Sequence, residues 1–245
     1  MKFFLKEALA KLLKYPPFPA MTIDNLYGYL DALHNKRSVE GPVVEIGCAN
    51  GGTTALACRF LSRIGCEKDY FCFDTFSGFV QEQLQTDHQL GLTTHHDRMF
   101  SANSIDRFKN NLSRWGIHNH VHVIEGDICK IEEEQIPQNI SVALLDVDLR
   151  DPVFVGLQKL YANLAKGGVI LVDDCKTGTS WIGANVGYRD FIASRGLQPK
   201  YFLGFGVIEN TGPGAPEIPW QYSSSPNPII DGYYSGTELS TSPSG

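Results

Sequence analysis

From Gly41 to about residue 210 the chain alternates short apolar runs with amphipathic stretches, and the apolar runs end in acidic residues. PVVEIG is followed by TTALACRFLSRIG and YFCFDTF; after a polar segment come SIDRFKNNLSRWG, VHVIEGD, SVALLDVD, VFVGLQKLYANL and GGVILVDD. Continuous apolar runs alternating with helical patterns specify an α/β domain whose parallel sheet is covered on both faces. NVGYRDFIASRG adds a helix, and PKYFLGFGVIEN reads as two short antiparallel strands closed by Gly204 and Gly206.

The flanks differ. Residues 1–40 read as helical, with a proline-rich break at Tyr15–Pro19, and residues 211–245 are Pro, Gly or Ser at 18 of 35 positions with no basic residue. The expected division is a helical segment over 1–40, the main domain over 41–210 and a tail over 211–245. Composition alone makes the tail disordered; Trp220, Tyr222, Tyr233 and Tyr234 are the side chains through which it would pack. A net charge of −6 argues against a nucleic-acid partner. The apolar N-terminus is broken by Lys6, Glu7, Lys11 and Lys14, unlike a signal peptide, and no run approaches the ~18 apolar residues of a membrane span. Its spacing suits an amphipathic helix, for which packing on the body or a partner is the plainer reading and lying on a membrane surface the alternative. Six cysteines without a C-x-x-C pair point to a reducing, cytoplasmic setting, and a homo-oligomer, a dimer, is expected.

In an open parallel sheet the ligand lies beyond the carboxyl ends of the strands. The first such end, VVEIGCANGGTT, carries Gly47, Gly51 and Gly52 for close backbone approach, and Thr53 and Thr54 open a helix whose N–H groups suit a carboxylate. It is not G-x-G-x-x-G, since Ala49 takes the second glycine position. Asp74, ending YFCFD, can accept both ribose hydroxyls of an adenosine; Asp127, after VHVIEG, can accept from an adenine amino group. Thr75 and Ile128, which follow these acids, are further cofactor-contact candidates, with Ala49 and Thr53 in the loop. NAD and S-adenosylmethionine both fit this outline. Glu45 favours the second, because a carboxylate there suits an α-amino group and repels a pyrophosphate.

Two more strand ends carry paired carboxylates, Asp146 with Asp148 and Asp173 with Asp174. Crowded carboxylates repel unless a cation joins them, and oxygen-only ligation suits Mg²⁺. The chain must turn at Asp173–Asp174 for both to reach one ion, because successive strand residues point to opposite faces. One of these acids, Asp148 above all, has the alternative of capping a helix or sitting in a solvated loop. His118, His120 and His122 alternate as zinc ligands on a strand would, but the first two fall in a loop, so solvated or core histidines are the plainer reading. His95-His96-Asp97 lies where substrates enter such folds, and His95 and His96 are candidates for binding or proton transfer.

VVEIGCANGG, FDTFSGF, LLDVDLRDP and, with Asp173 placed 27 residues after Asp146, GGVILVDDC together resemble the macrocin O-methyltransferase family over about residues 20–210, as does GANVGYRDFIASRGL. The resemblance implies a Rossmann-like class I methyltransferase fold, α/β, with a mostly parallel seven-stranded sheet, helices on both faces and a C-terminal antiparallel hairpin. It also implies an enzyme that uses S-adenosylmethionine and Mg²⁺ to methylate a sugar hydroxyl in natural-product biosynthesis. The family's metal ligands fall on Asp146, Asp173 and Asp174, with Asp146 also the general base, and its cofactor contacts on Glu45, Gly47, Asp74 and Asp127. This chain has Asp146-Val147-Asp148-Leu149-Arg150 where the family has D-G-D-L-Y, which bears on the acceptor more than on the metal. A lid over residues 15–30, with Tyr27 and Tyr29, would exclude water. A catechol-type acceptor chelates metal equally well; an NAD-linked oxidoreductase and a non-catalytic S-adenosylmethionine-binding module are the readings from other classes.

Overall fold

A computed structural model describes residues 21–95, 99–176, 178, 180–212, 218–224 and 226. In chain order the elements are α1 (Ile23–Asn35), β1 (Val43–Ile46), α2 (Gly52–Arg63), β2 (Tyr70–Asp74), α3 (Gln81–Gln89), α4 (Ile105–Arg114), β3 (Val121–Glu125), β4 (Ile140–Leu145), α5 (Arg150–Ala162), β5 (Leu164–Val172), α6 (Ile182–Ser194), β6 (Tyr201–Phe202) and β7 (Phe205–Glu209). The strands form one seven-stranded sheet in the order β3-β2-β1-β4-β5-β7-β6. β1 to β5 pair in parallel, and β7 runs antiparallel to both β5 and β6. This is the expected fold, C-terminal hairpin included.

Side-chain alternation divides the strands between two cores. Val44, Ile46, Ala143, Leu145, Ile170 and Val172 pack with Val153, Leu157, Tyr188 and Phe191 of α5 and α6. Val43, Val142, Leu144, Val169 and Leu171 pack on the other face with Tyr29, Leu33, Ala57, Leu61 and Phe108 of α1, α2 and α4. Glu45 lies between Val44 and Ile46, so it faces this second core.

Helix α1 is part of that core rather than a separate cover. It starts at Thr22, whose hydroxyl oxygen accepts from Asn25 N (3.3 Å). Asn25, Gly28, Tyr29, Ala32 and Leu33, at helical spacing, are buried. At its C-terminal end the buried Lys36 ammonium lies 3.3 Å from Glu209 Oε1 of β7. Lys200 Nζ (3.4 Å) and the Tyr222 hydroxyl (2.7 Å) donate to Glu209 Oε2. Removing one member of such a buried set strands the other charge.

The described part of the tail is docked. Trp220 stacks on Phe202 (3.9 Å between centroids, 11°) and donates to Asp31 of α1 at 2.6 Å. Ser223 exchanges backbone hydrogen bonds with Tyr201 at 2.8 and 3.0 Å. Trp220 and Tyr222 thus hold residues 218–224 against β6 and α1; Tyr233 and Tyr234 lie outside the described residues. His118 and His120 precede β3 and His122 belongs to it, its ring stacked on Phe71 (4.4 Å) and its Nε2 3.1 Å from Asp69. All six cysteines are free thiols. No described helix is long and apolar enough to cross a membrane. Trp220→Ala removes a stacked ring and a hydrogen bond together, and is expected to lower unfolding free energy by about 2–3 kcal/mol in urea titration.

Candidate active site

Strand order reverses at β1, whose neighbours are β2 on one side and β4 on the other. A cleft opens there, beyond the carboxyl ends of β1 to β5, with a volume of about 290 Å³. Backbone bonds continue past the strands and hold their ends in line: Gly47 N to Phe73 O (2.8 Å), Gly126 N to Asp74 O (2.9 Å), Asp146 N to Ile46 O (2.8 Å) and Asp173 N to Leu145 O (2.9 Å).

At the β1 end Gly47 has φ +91°, and a Cβ there would lie 1.9 Å from the Asp146 carbonyl oxygen, so only glycine fits. Ala49 is itself left-handed (φ +45°). Its N–H donates to Asp74 Oδ2 (2.8 Å), while Phe76 N–H donates to Oδ1 (2.7 Å). Burial nevertheless raises the Asp74 pKa from its ordinary value. Asp127 receives Gln83 Nε2 on both oxygens (3.1 and 3.0 Å) and Cys129 N–H at 3.0 Å. Thr75 donates to Gly78 O (2.6 Å). Gly47, Ala49, Asp74, Thr75, Asp127 and Ile128 all line the cleft.

Glu45 and Thr53 do not. Glu45 is 1% exposed. Its Oε2 accepts from Thr54 Oγ1 (2.7 Å) and from the Tyr70 hydroxyl (2.5 Å), which in turn receives the Tyr29 hydroxyl of α1 (2.7 Å). The expectation of direct contact between Glu45 and the cofactor is therefore corrected: strand parity turns the side chain into the second core. Burial, opposed by these two hydrogen bonds, raises its pKa to about 7.

The other wall holds the aspartates. Carboxylate oxygens of Asp146, Asp148 and Asp174 all lie within 4.8 Å of one another, a grouping able to hold a cation. Asp148 (φ +63°) and Asp174 (φ +54°) are both left-handed, so the turn expected at Asp173–Asp174 is present and a second one precedes α5. Asp173 lies outside the grouping. Its Oδ1 accepts from the Asn25 side-chain amide and from Asp174 N–H (2.8 Å). Burial first, then the neighbouring acids, push Asp146 and Asp148 well above the carboxylate range. Burial and Asp174 raise Asp173 to about 6.

Phe79, Phe100 and Trp181 form the aromatic rim, with centroids 5.5 Å (Phe79–Phe100) and 5.2 Å (Phe79–Trp181) apart. His95 stands behind it, stacked on Trp181 at 3.9 Å and 2.5 Å from Ser180 Oγ, and does not line the cleft; His96 lies outside the described residues. Tyr29 is buried against Tyr70 and Tyr27 is 61% exposed, so neither closes the cleft. The first turn of α1 contributes Asn25 instead, with Thr22 and Met21 beside it. Asn25 and Gln83 were not found from the sequence; Asn25, four residues before Tyr29, shares its helix face, which was the available signal.

The chain matches the sequence model described as Macrocin-O-methyltransferase (TylF) over residues 20–199. It belongs to the macrocin O-methyltransferase family. It is therefore a methyltransferase enzyme, and S-adenosylmethionine is the cofactor expected of it. Comparison with curated proteins gives no match. Among solved structures it is similar to the O-methyltransferase NovP (18% identity, TM-score 0.68, 78% of this chain and 81% of that one). It is also similar to CalS11, calicheamicin methyltransferase (19%, 0.64, 83% and 90%), and to cofactor-bound Rv0187 from MTB (15%, 0.52, 85% and 90%). At these identities the likeness shows the fold. Of this chain's departures from the macrocin O-methyltransferase pattern, Val147 lines the cleft, whereas the Arg150 side chain turns away to Asp190 (2.7 Å) and Asp151 (2.8 Å).

A folded-state pKa of about 7 for Glu45, against an ordinary 4.5, means the folded chain binds the extra proton. Stability from this group is complete below about pH 4.5 and is lost as pH rises through 7, a difference of roughly 3 kcal/mol. Glu45→Gln is expected to flatten the melting temperature across that window; an unchanged pH slope refutes the assignment.

Proposed function

We propose that this enzyme transfers a methyl group from S-adenosylmethionine to one hydroxyl of a sugar or another vicinal-diol small molecule, using a divalent cation, Mg²⁺, in natural-product biosynthesis. The observation that carries the reading is the three-carboxylate grouping in the same cleft as the Asp74 and Asp127 strand ends. The donor set fits: it is oxygen-only, half-buried and mutually repelling, which suits a hard divalent ion. The other half fits S-adenosylmethionine. Asp74 faces the cleft where a ribose is expected, and Gly47 and Ala49 line it beside Asp74. NovP and CalS11 are both O-methyltransferases, and the second, a TDP-rhamnose 3'-O-methyltransferase, supports a sugar acceptor.

Asp146, Asp148 and Asp174 would hold the cation, which when bound neutralises their repulsion and acidifies a neighbouring hydroxyl. S-adenosylmethionine supplies an electrophilic methyl on sulfonium, the sulfur keeping the bond's electron pair as a neutral thioether. Gly47, Ala49, Asp74, Thr75, Asp127 and Ile128 position it. Asp146 takes the acceptor O–H proton on a carboxylate oxygen as the new O–CH₃ bond forms. Phe79, Phe100 and Trp181 exclude water from the mouth and orient the acceptor.

Asp146→Asn is expected to reduce methyl transfer by about 10²–10⁴ fold while S-adenosylhomocysteine still binds in calorimetry. Asp148→Asn is expected to weaken Mg²⁺ binding more than Asp173→Asn, in keeping with the three-carboxylate grouping. Full activity in excess EDTA refutes the metal reading, and tight binding of NAD in place of S-adenosylhomocysteine refutes the cofactor reading.

A further inference from the structure

Asp87 lies on α3, away from the strand ends, and is 1% exposed. Its Oδ2 accepts from Arg150 N at 3.1 Å, the first residue of α5. That helix has no side-chain cap of its own, because its N-cap position is Leu149, 1% exposed. A buried leucine there leaves the α5 N-terminus to be satisfied from elsewhere, and a carboxylate from α3 does so.

The cap sits two residues after Asp148, which is held left-handed although it is not glycine. Such a conformation persists only where its surroundings fix it. Gly183 of α6 supplies part of the fix: a Cβ there would lie 2.1 Å from Asp87 Oδ2, 2.8 Å from Arg150 N and 3.0 Å from Asp148 O. The Asp87 carbonyl in turn accepts from Leu92 N (2.8 Å), and the Leu92 carbonyl from Ile182 N (3.1 Å). Three helices thus meet at one carboxylate directly behind the Asp146–Asp148 turn. We infer that Asp87 is a positioning residue: through Arg150 N it sets the turn that brings Asp148 to Asp146 and Asp174. The role rests on the metal reading given above.

The test compares the parent with Asp87→Ala, Asp87→Asn and Gly183→Ala, using Mn²⁺ binding by electron paramagnetic resonance, S-adenosylhomocysteine binding by calorimetry, and melting temperature. Asp87→Ala is expected to weaken Mn²⁺ binding by about tenfold or more with S-adenosylhomocysteine affinity kept. Asp87→Asn, which keeps an acceptor oxygen for Arg150 N, is expected to restore most of it. Gly183→Ala drives a methyl against Asp87 Oδ2, Arg150 N and Asp148 O together, so it tests the whole cap-and-turn contact and keeps the role falsifiable if Asp87→Ala does not fold. Parent-like Mn²⁺ binding in Asp87→Ala or in Gly183→Ala overturns the role, as does equal loss of both ligands, which marks a structural cap only. A parent that binds no Mn²⁺ overturns the metal reading first and this role with it.

Discussion

Four aspartates at the ends of two adjacent parallel strands are the constraint around which the cleft is organised. β4 and β5 run in register at their carboxyl ends, so Asp146, Asp148, Asp173 and Asp174 are brought together, Asp173 buried and the other three half-buried. At low effective dielectric their repulsion is large, and it must be met by protonation, by donors or by a cation. The structure meets it unequally. Asp173 receives an amide from Asn25 and the N–H of Asp174, and Lys176 Nζ stands 4.0 Å from Asp174. Asp146 and Asp148 are left with the strongest push toward the protonated form, from burial first and then from the neighbouring acids.

The same logic explains why α1 is fixed rather than free. Asn25 ties its first turn to Asp173, Tyr29 its middle to Tyr70 and Glu45, Asp31 its outer side to Trp220, and Lys36 its end to Glu209. A helix tethered at four points along its length does not open as a flap. Only its start, Met21 to Asn25, borders the cleft. Any movement that admits the acceptor therefore belongs to the loops, where Phe79, Phe100 and Trp181 sit, more than to this helix.

The fold was legible because its signal is repeated: each apolar run states a strand and each ends where the ligand site must be. The acids at those ends were legible for the same reason. What failed were the orientations. Glu45 was read by its position at a strand end, yet the parity of Val44 and Ile46 in one core already assigns it to the other. Tyr27 and Tyr29 were paired by proximity in sequence, although two residues apart on a helix point about 200° apart, which puts one in the core and the other in solvent. The three-carboxylate grouping holds Asp148 where the resemblance implies Asp173, and it goes with left-handed turns at Asp148 and Asp174, a conformation aspartate tolerates but the strand pattern does not call for. The contacts of Asp148 O and Arg150 N with α3 and α6 come from residues distant in the chain, which no window of sequence contains.

On the proposed reading, charge balance narrows the acceptor further than the motifs do. The cleft is lined by Asp74, Asp127, Asp146, Asp148, Asp173 and Asp174 against a single cationic side chain, Lys176, among the described residues. One divalent ion and one sulfonium together bring three positive charges, too few to make the site attractive to a further anion. An acceptor that presents neutral hydroxyls to the carboxylates is the one this field tolerates, and any charged part of a larger acceptor must stay outside the aromatic rim. Val147 acts in the same direction: an isopropyl group in the wall beside Asp146 adds no hydrogen-bonding group, so discrimination there is by shape.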